Sequence, residues 1–416
     1  MRKACATRLR GLAPRDIWFE SFGSRLSEIG ALVVAALACA AWGYLLLLRG
    51  GFWLAAERDD AVDVATSVGP WPHVVAIVPA RDEAQTIATS VDSLLRQAYP
   101  GEFAVIVVDD HSTDDTAALA RAAAAAAGAT PRLTVLSAPA LVAGWTGKLA
   151  AMACGTRHVD GLSDPPDYVL FTDADIHYTA DTLASLVEGA QREGLVLNSL
   201  MAKLHCQSPA ERALIPAFIF FFRMLYPFRW VNRPARQTAA AAGGCMLVRR
   251  DALNAAGGLA AVRGELIDDC ALGRLMKRQG PIRLSLTIRA RSVRAFTSVG
   301  EIRPMISRSA YAQLRYSPSL LLCTVLAMAV ACLSPPLLAL GATGTAQLLA
   351  AAAWAGMALA LQPTLRFYGV SPWWGVALPV IAGLYLAFTL DSALQHWRGR
   401  GGMWKGRAHS PSPGNR

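Results

Sequence analysis

The chain lacks the cysteine patterns that build disulfide frameworks and zinc sites. None of its eight cysteines forms a Cys-x-x-Cys pair, and none clusters with histidine. Two of them lie in an apolar C-terminal stretch. We therefore expect neither a zinc site nor a disulfide framework, and most of the thiols are predicted to be small core residues. The cysteines are Cys5, Cys39, Cys154, Cys206, Cys245, Cys270, Cys323 and Cys332.

Charge is also scarce. Charged residues make up 17% of the chain, whereas 54% of its residues are hydrophobic. This balance is too apolar for an ordinary soluble enzyme and indicates membrane segments. The net charge of +10 suits anionic lipid headgroups or phosphorylated substrates equally well. No basic-aromatic recognition module is present, so nucleic acid is not an expected partner.

The fingerprints of dinucleotide and ATP binding, G-x-G-x-x-G and Walker A, are absent. Nevertheless, strand patterns alternate with helix patterns from Val74 onward. This alternation predicts an α/β domain of βαβ units, with a mostly parallel sheet and right-handed crossovers. The sequence thus predicts a nucleotide-binding type of fold without the usual signatures. The predicted strands are Val74–Pro79, Phe103–Val108, Leu133–Leu136, Tyr168–Phe171, Leu195–Leu204 and Met246–Val248.

The most informative stretch is the apolar run Tyr168–Phe171, which leads to Asp173-Ala174-Asp175. A continuous apolar run is typical of a buried parallel strand, and ligands bind at the carboxyl ends of such strands. Two carboxylates there can hold a hard divalent cation such as Mg²⁺, which shares its oxygen ligands with substrate phosphates. The alternative is that the aspartates cap the next helix.

A second acidic pair, Asp268 and Asp269, begins a helix that is predicted to end at Gly280. Because carboxylates are favoured at helix N-termini by the helix dipole, the pattern alone leaves a purely structural role open.

The remaining segments divide the chain into five parts. A basic segment of predicted irregular structure, 1–28, precedes an uncharged stretch in 29–49 that approaches the length of a bilayer span. This stretch is predicted to be an uncleaved anchor, since no clean small-x-small cleavage site follows it. The α/β domain is assigned to 70–316, C-terminal membrane segments to 317–395, and a basic, disordered tail to 396–416.

Four further apolar stretches carry open alternatives. Pro318–Leu340, Ala346–Leu361 and Trp374–Leu390 are predicted to be membrane spans, with a re-entrant course left open for one of them. Ile215–Trp230 is interrupted by arginine and proline, which disfavours a span. It is predicted to be an interfacial helix or a hydrophobic wall for an apolar substrate, with ordinary core as the alternative.

The order of the motifs resembles the family 2 glycosyltransferases, which have the GT-A fold. Within that family the chain is similar to the membrane-bound branch that includes ceramide glucosyltransferases, and most of all to the hopanoid-biosynthesis-associated glycosyltransferases. The blocks Ile215–Phe218, Gly243–Arg250 and Arg308–Ser317 carry this closer resemblance. The general motifs are Val78–Glu83, Val107–Asp114, Gly147-Lys148, Asp173–Asp175, Ile267–Asp269 and Gln313–Tyr316.

The resemblance implies a role for each residue of the donor site. Pro79 and Arg81 would line the base, and Asp110 would receive the uracil ring of a UDP-sugar. Lys148 would lie near the nucleotide. Asp173 and Asp175 match the Asp-x-Asp motif, with Asp175 as the direct ligand of Mg²⁺ or Mn²⁺.

It also implies an acceptor side. Asp269 matches the catalytic base, and Asp268 takes the position of a glutamate in the family motif. Arg315-Tyr316 stands where the family has Arg-Trp after a glutamine. Here Ala312 occupies the place of that glutamine and Gln313 follows it, a departure that weakens the assignment of these residues to the acceptor or diphosphate region.

The implied enzyme is an inverting glycosyltransferase that moves a sugar from a nucleotide-sugar to a lipid hydroxyl, with a hopanoid as the suspected acceptor. It would be a multi-pass protein of the bacterial inner membrane with a cytoplasmic catalytic domain. The basic ends also favour the cytoplasm, and one N-terminal plus three C-terminal crossings cannot satisfy all of these demands. The alternatives are a processive polysaccharide synthase and a non-catalytic, lipid-handling membrane scaffold. The sequence does not fix the sugar.

Overall fold

A computed structural model describes residues 14–60 and 70–399. The basic segment predicted for 1–28 lies outside the described residues as far as residue 13, and so does the tail from residue 400. A helix already begins at Pro14, so the irregular course predicted for the first part of the chain is wrong from that residue on.

An eight-stranded mixed sheet forms the centre of the α/β domain, with strand order β3-β2-β1-β4-β7-β6-β8-β5. Its first four strands in this order pair in parallel, as the alternation of strands and helices predicts. The antiparallel strand β7 joins β4 to β6. The strands are β1 (Val74–Ala80), β2 (Phe103–Asp109), β3 (Leu133–Ser137), β4 (Tyr168–Phe171), β5 (Ile176–Tyr178), β6 (Leu197–Lys203), β7 (Met246–Arg249) and β8 (Ile282–Ser292).

Helices cover both faces of the sheet, and β1 and β4 are buried along their whole length. This double burial explains why both strands are continuous apolar runs. The helices of the domain are α2 (Ile87–Leu95), α3 (Thr116–Ala126), α4 (Gly147–Asp160), α5 (Thr182–Glu193), α6 (Pro209–Leu225), α7 (Phe228–Val231), α8 (Arg250–Ala255), α9 (Asp268–Lys277) and α10 (Val299–Gln313); α1 (Pro14–Leu47) precedes them.

Close packing depends on small residues at two helices. In α4, a Cβ on Gly155 would lie 2.6 Å from Cγ2 of Ile77 in β1. In α9, a Cβ on Gly273 would lie 2.7 Å from the backbone carbonyl carbon of Ala240. The small residues around Ala240 therefore let the helix that begins with Asp268 approach the chain at backbone distance.

Helix α6 occupies the stretch that the sequence left between an interfacial helix and core. Ser208 and Glu211 form a capping box at its start. Leu214, Ile215 and Phe220 are fully buried, and the ring of Phe220 packs against Phe52 just after α1. Much of this helix is therefore core between the domain and the apolar helices.

Five helices among the described residues are long and apolar enough to cross a membrane. One lies in α1 and one covers α6 and α7. The other three coincide with the predicted C-terminal segments. They are Pro318–Gly341, which comprises α11 (Pro318–Met328), a π-helical turn (Ala329–Leu333) and α12 (Ser334–Gly341), followed by α13 (Gly344–Tyr368) and α14 (Leu378–Trp397).

Candidate active site

The predicted site residues meet at the carboxyl edge of the sheet. Asp173 and Asp175 follow β4, Arg81 follows β1, and Asp110 follows β2. Because these three strands are parallel neighbours, their carboxyl ends lie side by side. Lys148 and the pair Asp268 and Asp269 reach the same edge from the first turns of α4 and α9.

Lys148 is the hub of the charged groups. Its Nζ lies 2.8 Å from Oδ1 of Asp173 and 3.2 Å from Oδ2 of Asp268. Burial alone would lower the pKa of Lys148, but the charges of Asp173, Asp268 and Asp269 outweigh burial and raise it. The ammonium is therefore permanently charged, and it ties the Asp-x-Asp segment to the start of α9.

Asp269 is held by two backbone amides. Gly243 N–H donates to its Oδ2 at 3.1 Å, and Cys270 N–H donates to its Oδ1 at 2.7 Å. Burial and the neighbouring charge of Asp268 raise the pKa of Asp269, while Lys148 and the two amides lower it, giving a value of about 6. A carboxylate with this pKa is ionised at neutral pH and can accept a proton.

Gly243 leaves the space in which Lys148 and Asp269 meet. A Cβ at this position would lie 3.0 Å from Nζ of Lys148 and 3.6 Å from Oδ2 of Asp269. A larger residue would therefore displace the Lys148 ammonium and the Asp269 carboxylate, which explains why this position is a glycine.

Asp175 has a different set of partners. Ser292 Oγ donates to its Oδ2 at 3.0 Å, and Arg294 Nε donates to the same oxygen at 3.1 Å. Arg294 also forms an ion pair with Glu83, at the end of the first loop. Burial, followed by the charge of Asp173, raises the pKa of Asp175, although Arg294 opposes this. The segment after β8 thus clamps two acidic loops together.

The first two loops form a compact unit on the other side of β4. Arg81 donates through Nη1 to the backbone carbonyl of Asp110 and, at 3.2 Å, to that of His111. Pro79, in β1, pairs with Val108 in β2, immediately before these loops. Asp82 and His111 adopt left-handed backbone conformations, with φ of 50° and 57°. Strained positions of this kind are concentrated at functional sites.

The acceptor-side residues divide into two groups. Gln313 reaches the site at the carboxyl edge of the sheet. There its Nε2 donates to the Tyr226 hydroxyl at 2.6 Å. The Tyr226 side chain in turn lies beside that of Cys270, the residue after Asp269. By contrast, Arg315 is exposed, and Tyr316 stacks on His396 with ring centroids 4.4 Å apart. The structure therefore joins Gln313 to the helix of Asp269, whereas the described contacts of Arg315 and Tyr316 lie elsewhere.

Three residues of the site were missed in the sequence. Ser292 ends a strand that was not predicted, Arg294 follows that strand, and Tyr226 was interpreted only as part of an apolar stretch. A signal existed for the strand, since Ile282–Ser292 alternates polar and apolar residues. No local pattern marks Tyr226, because its role depends on a contact with Gln313, far away in the chain.

The acidic residues after β4 fit a divalent cation. The side chain of Asp173 is 37% exposed, and it offers a second oxygen besides the one that contacts Lys148. Carboxylate oxygens completed by substrate phosphates are the donor set that Mg²⁺ and Mn²⁺ take. A separate group, His73, Glu102 and Asp164, could also hold a metal ion among the described residues. It lies at the amino ends of the strands, because His73 precedes β1, and it is distinct from the Asp-x-Asp site.

Comparison with known proteins agrees with this geometry. Residues 75–257 match the sequence model of the family described as "Glycosyl transferase family 2". No curated protein matches the chain in a sequence comparison.

Among solved structures, a mannosyltransferase from Pyrobaculum calidifontis in complex with GDP-Man and Mn²⁺ is similar over 88% of this chain and 99% of its own. The identity is 22% and the TM-score 0.52. A glucosyl-3-phosphoglycerate synthase from Mycobacterium tuberculosis, with Mn²⁺, UDP and glucosyl-3-phosphoglycerate, is 22% identical over 59% of this chain and 79% of its own, with a TM-score of 0.38. The GT-A fold predicted from the motifs is thus confirmed, and the chain is a glycosyltransferase whose residues 75–257 match the family 2 model.

Proposed function

We propose that the protein is a membrane-bound, inverting glycosyltransferase that moves a sugar from a nucleotide-sugar to the hydroxyl of a lipid. The observation that carries this proposal is the position of Asp269. Its carboxylate lies close to Lys148, which contacts Asp173 on the donor side. The next residue, Cys270, neighbours Tyr226, which accepts a hydrogen bond from Gln313 at the end of α10.

In the proposed reaction, the acceptor hydroxyl oxygen attacks the anomeric carbon of the donor sugar. Asp269 takes the hydroxyl proton as the new carbon–oxygen bond forms. The bond between the anomeric carbon and the diphosphate breaks, and the nucleoside diphosphate leaves with the electron pair. Lys148 places positive charge where the leaving group becomes more negative. With one base and a single displacement, the configuration at the anomeric carbon inverts.

Asp173 and Asp175 would hold the divalent cation, Mg²⁺ or Mn²⁺. When bound, the cation supplies Lewis-acid neutralisation of the diphosphate. The partners of Asp175 in this arrangement are Ser292 and Arg294, which leaves Asp173 the more open of the two carboxylates.

The donor is proposed to be a UDP-sugar, because Asp110 and Arg81 occupy the positions at which the family pattern places the base. The similar structure from Pyrobaculum calidifontis contains GDP-Man, so a donor panel must include both nucleotides. The lipid acceptor is supported by the apolar helices around the domain. A hopanoid is proposed as this lipid on the strength of the sequence blocks described above, and the bacterial inner membrane as its place, with the catalytic domain in the cytoplasm.

The test compares wild type with Asp269→Asn. We expect the variant to lose transfer while UDP binding in the presence of Mn²⁺ stays within about twofold, because the amide keeps the shape of the side chain but cannot accept the proton. Asp115→Asn, an exposed carboxylate at the start of α3, is the matched control and should behave as wild type.

Mass spectrometry of lipid extracts from cells carrying each variant then identifies the product. Loss of one hexose- or aminosugar-bearing hopanoid in Asp269→Asn would support reaction, base and acceptor together. Loss of another glycolipid would keep the enzyme and reject the hopanoid. Loss of a polymer would favour the processive synthase, and unchanged lipids would favour the scaffold. Loss of UDP binding would assign Asp269 to the donor site instead.

A further inference from the structure

An exposed cluster of arginines follows α6. Arg229, Arg233 and Arg236 are all exposed, and they lie within one short segment, Pro227–Arg236. Among the described residues, none of the three is paired with a carboxylate. Four of the residues that lie between these arginines are apolar or aromatic, so the positive charges stay close together in the chain. Like charges gathered in this way repel one another, so the cluster is most favourable when an anion is bound.

The segment is fixed to the end of α1 through one aromatic ring. The guanidinium carbons of Arg49 and Arg236 lie 5.1 and 5.4 Å from the ring centroid of Trp230. Arg49 also donates from Nε to the carbonyl of Met224 at 3.0 Å, at the end of α6. Trp230 therefore holds two positive groups close together, in cation–π contacts that also orient their planes.

Lys277 of α9 holds the same segment from the protein side. Its Nζ donates to the carbonyls of Val231 at 2.5 Å, of Arg233 at 3.1 Å and of Thr238 at 2.9 Å. A backbone fixed by these bonds loses little conformational freedom when a ligand binds, so the arginines form a largely preformed surface.

The cluster lies where the apolar surface of α1 ends. Leu47 and Leu48 are 81% and 68% exposed, and Leu225, at the end of α6, is 46% exposed. Exposed leucines on a helix long enough to span a bilayer are expected to face hydrocarbon. Arg49 follows them directly, so the arginines and Trp230 lie at the level where acyl chains give way to headgroups. Aromatic and basic residues are enriched at this level of membrane proteins.

We propose that Arg49, Trp230 and the arginines of Pro227–Arg236 form a binding surface for the phosphate groups of anionic phospholipids. A guanidinium group can donate two parallel hydrogen bonds to two oxygens of one phosphate. Several arginines can also bind the same headgroup. The negative surface of a membrane leaflet attracts nearby basic side chains. This surface would fix the height and tilt of the domain above the membrane, a role beyond the transfer reaction itself.

The test uses the full chain in lipid nanodiscs of phosphatidylcholine, with and without phosphatidylglycerol. The variant Arg229→Gln/Arg233→Gln/Arg236→Gln removes three exposed charges from the surface. The matched control, Arg121→Gln/Arg157→Gln/Arg192→Gln, removes three exposed charges from the helices that flank the sheet. Native mass spectrometry counts the lipids of each class that stay bound, and UDP binding is measured in parallel to confirm that each variant is folded.

We expect wild type and control to retain phosphatidylglycerol in preference to phosphatidylcholine. In the variant, the ratio of bound phosphatidylglycerol to bound phosphatidylcholine should fall at least about tenfold. The preference should also weaken at high salt, because exposed charges are screened. Equal retention by the variant and wild type would overturn the proposal. So would displacement of the bound lipid by millimolar inorganic phosphate, which would assign the cluster to a soluble anion.

Discussion

At the scale of single residues, the surroundings of Asp269 suit its proposed role as the base. Burial and Asp268 raise the pKa of Asp269, and the amides of Gly243 and Cys270 with Lys148 limit the rise to about 6. Since the base must be ionised, kcat/KM should rise about tenfold per pH unit below pH 6 and level off above it. Initial rates at subsaturating donor between pH 4.5 and 8 measure this limb. A flat profile would contradict the assignment.

The same pKa makes a prediction for stability. Asp269 has an ordinary pKa of 3.8 and a folded value of about 6, so the folded protein binds more protons than the unfolded chain between these values. Its contribution to folding is therefore present at low pH and is lost as the pH rises through about 6. The amide of Asp269→Asn can accept only one of the two backbone N–H bonds, which lowers its stability at every pH. Relative to wild type, the melting temperature of the variant should therefore be higher at pH 8 than at pH 4. Thermal unfolding in detergent at both pH values checks this.

Lys148 should control the pH at which kcat/KM stops rising, which is the end of the acid limb of the pH profile. Its charge lowers the pKa of Asp269, so Lys148→Met should move the limb to higher pH besides reducing activity. Lys148→Arg keeps the charge and should leave the limb near that of wild type even where the rate falls. Full pH profiles of both variants distinguish the charge from the loss of a donor contact. A limb that stays in place in Lys148→Met would show that Lys148 does not act on the base.

The charged residues of the donor site could be predicted because each follows a strand or begins a helix. Asp173 and Lys148 belong to local motifs, and parallel strands bring such motifs to one edge. Tyr226 and Arg294 could not be found in this way. Each acts through a partner distant in the chain, Gln313 for one and Glu83 for the other, and only tertiary packing creates those contacts.

At the scale of elements, the segment after β8 holds the loops of the metal site together. Arg294 is the common partner of Glu83 and Asp175. Arg294→Met should destabilise the protein by about 2 kcal/mol, because two largely buried carboxylates lose their counter-charge. In the double variant with Glu83→Gln, part of this loss should be recovered, since one of the like charges is gone. Denaturant unfolding of wild type, both single variants and the double variant gives the coupling energy. A coupling of zero would show that the clamp does not stabilise the fold.

Helix α9 makes a second prediction at this scale. A Cβ on Gly273 would meet the backbone of Ala240 at 2.7 Å, so Gly273→Ala must push the helix of Asp269 away from its support. We expect a loss of about 1–3 kcal/mol and lower activity. Gly43, in α1, has nothing within 4 Å of the same position, so Gly43→Ala should be neutral or slightly stabilising. Thermal unfolding of the two variants compares them directly; equal shifts would contradict the packing argument.

The elements that sequence reasoning located best were those with a strong single pattern. The buried strands β1 and β4 were found within a residue or two, because both of their faces are apolar. Strand β8 was not predicted, although it is 11 residues long. Its arginines and serines alternate with apolar residues, which is the pattern of a half-exposed strand beside a charged site. Because so many of its residues are polar, its composition resembles that of a loop.

At the scale of the whole molecule, contacts between helices assign directions to the apolar segments. Ala35 of α1 clusters with Ala346 of α13, and Trp42 of α1 lies against Gly356 of α13, so the two helices run in the same direction. The end of α13 meets the catalytic domain, where Lys203 Nζ donates to the carbonyl of Phe367 at 2.9 Å. With α1 as a membrane span, we predict that its start lies on the opposite side of the membrane from the catalytic domain.

Helix α14 begins partway along α13 and ends on the domain side. The chain before it turns back along α13, since Trp354 Nε1 donates to the carbonyl of Val376 at 3.0 Å, about 21 Å before the end of α13 at 1.5 Å per residue. At the other end, His396 packs against Tyr311, two residues from Gln313 at the catalytic edge. Four crossings cannot place the catalytic domain and both basic termini in the cytoplasm. This course removes one of the four, because α14 can be re-entrant and need not cross the membrane.

We therefore predict three crossings, formed by α1, by α11 with α12, and by α13. The C-terminal tail then shares the catalytic side, where its basic residues satisfy the preference for the cytoplasm, and the basic N-terminus lies outside because a large folded domain overrides the charge rule. In sealed inside-out vesicles, a protease should remove a tag fused after Arg416 and leave a tag fused before Met1 intact until detergent is added. Cleavage of both tags without detergent would mean that α1 does not cross. Protection of the C-terminal tag together with an accessible catalytic domain would mean that α14 crosses after all.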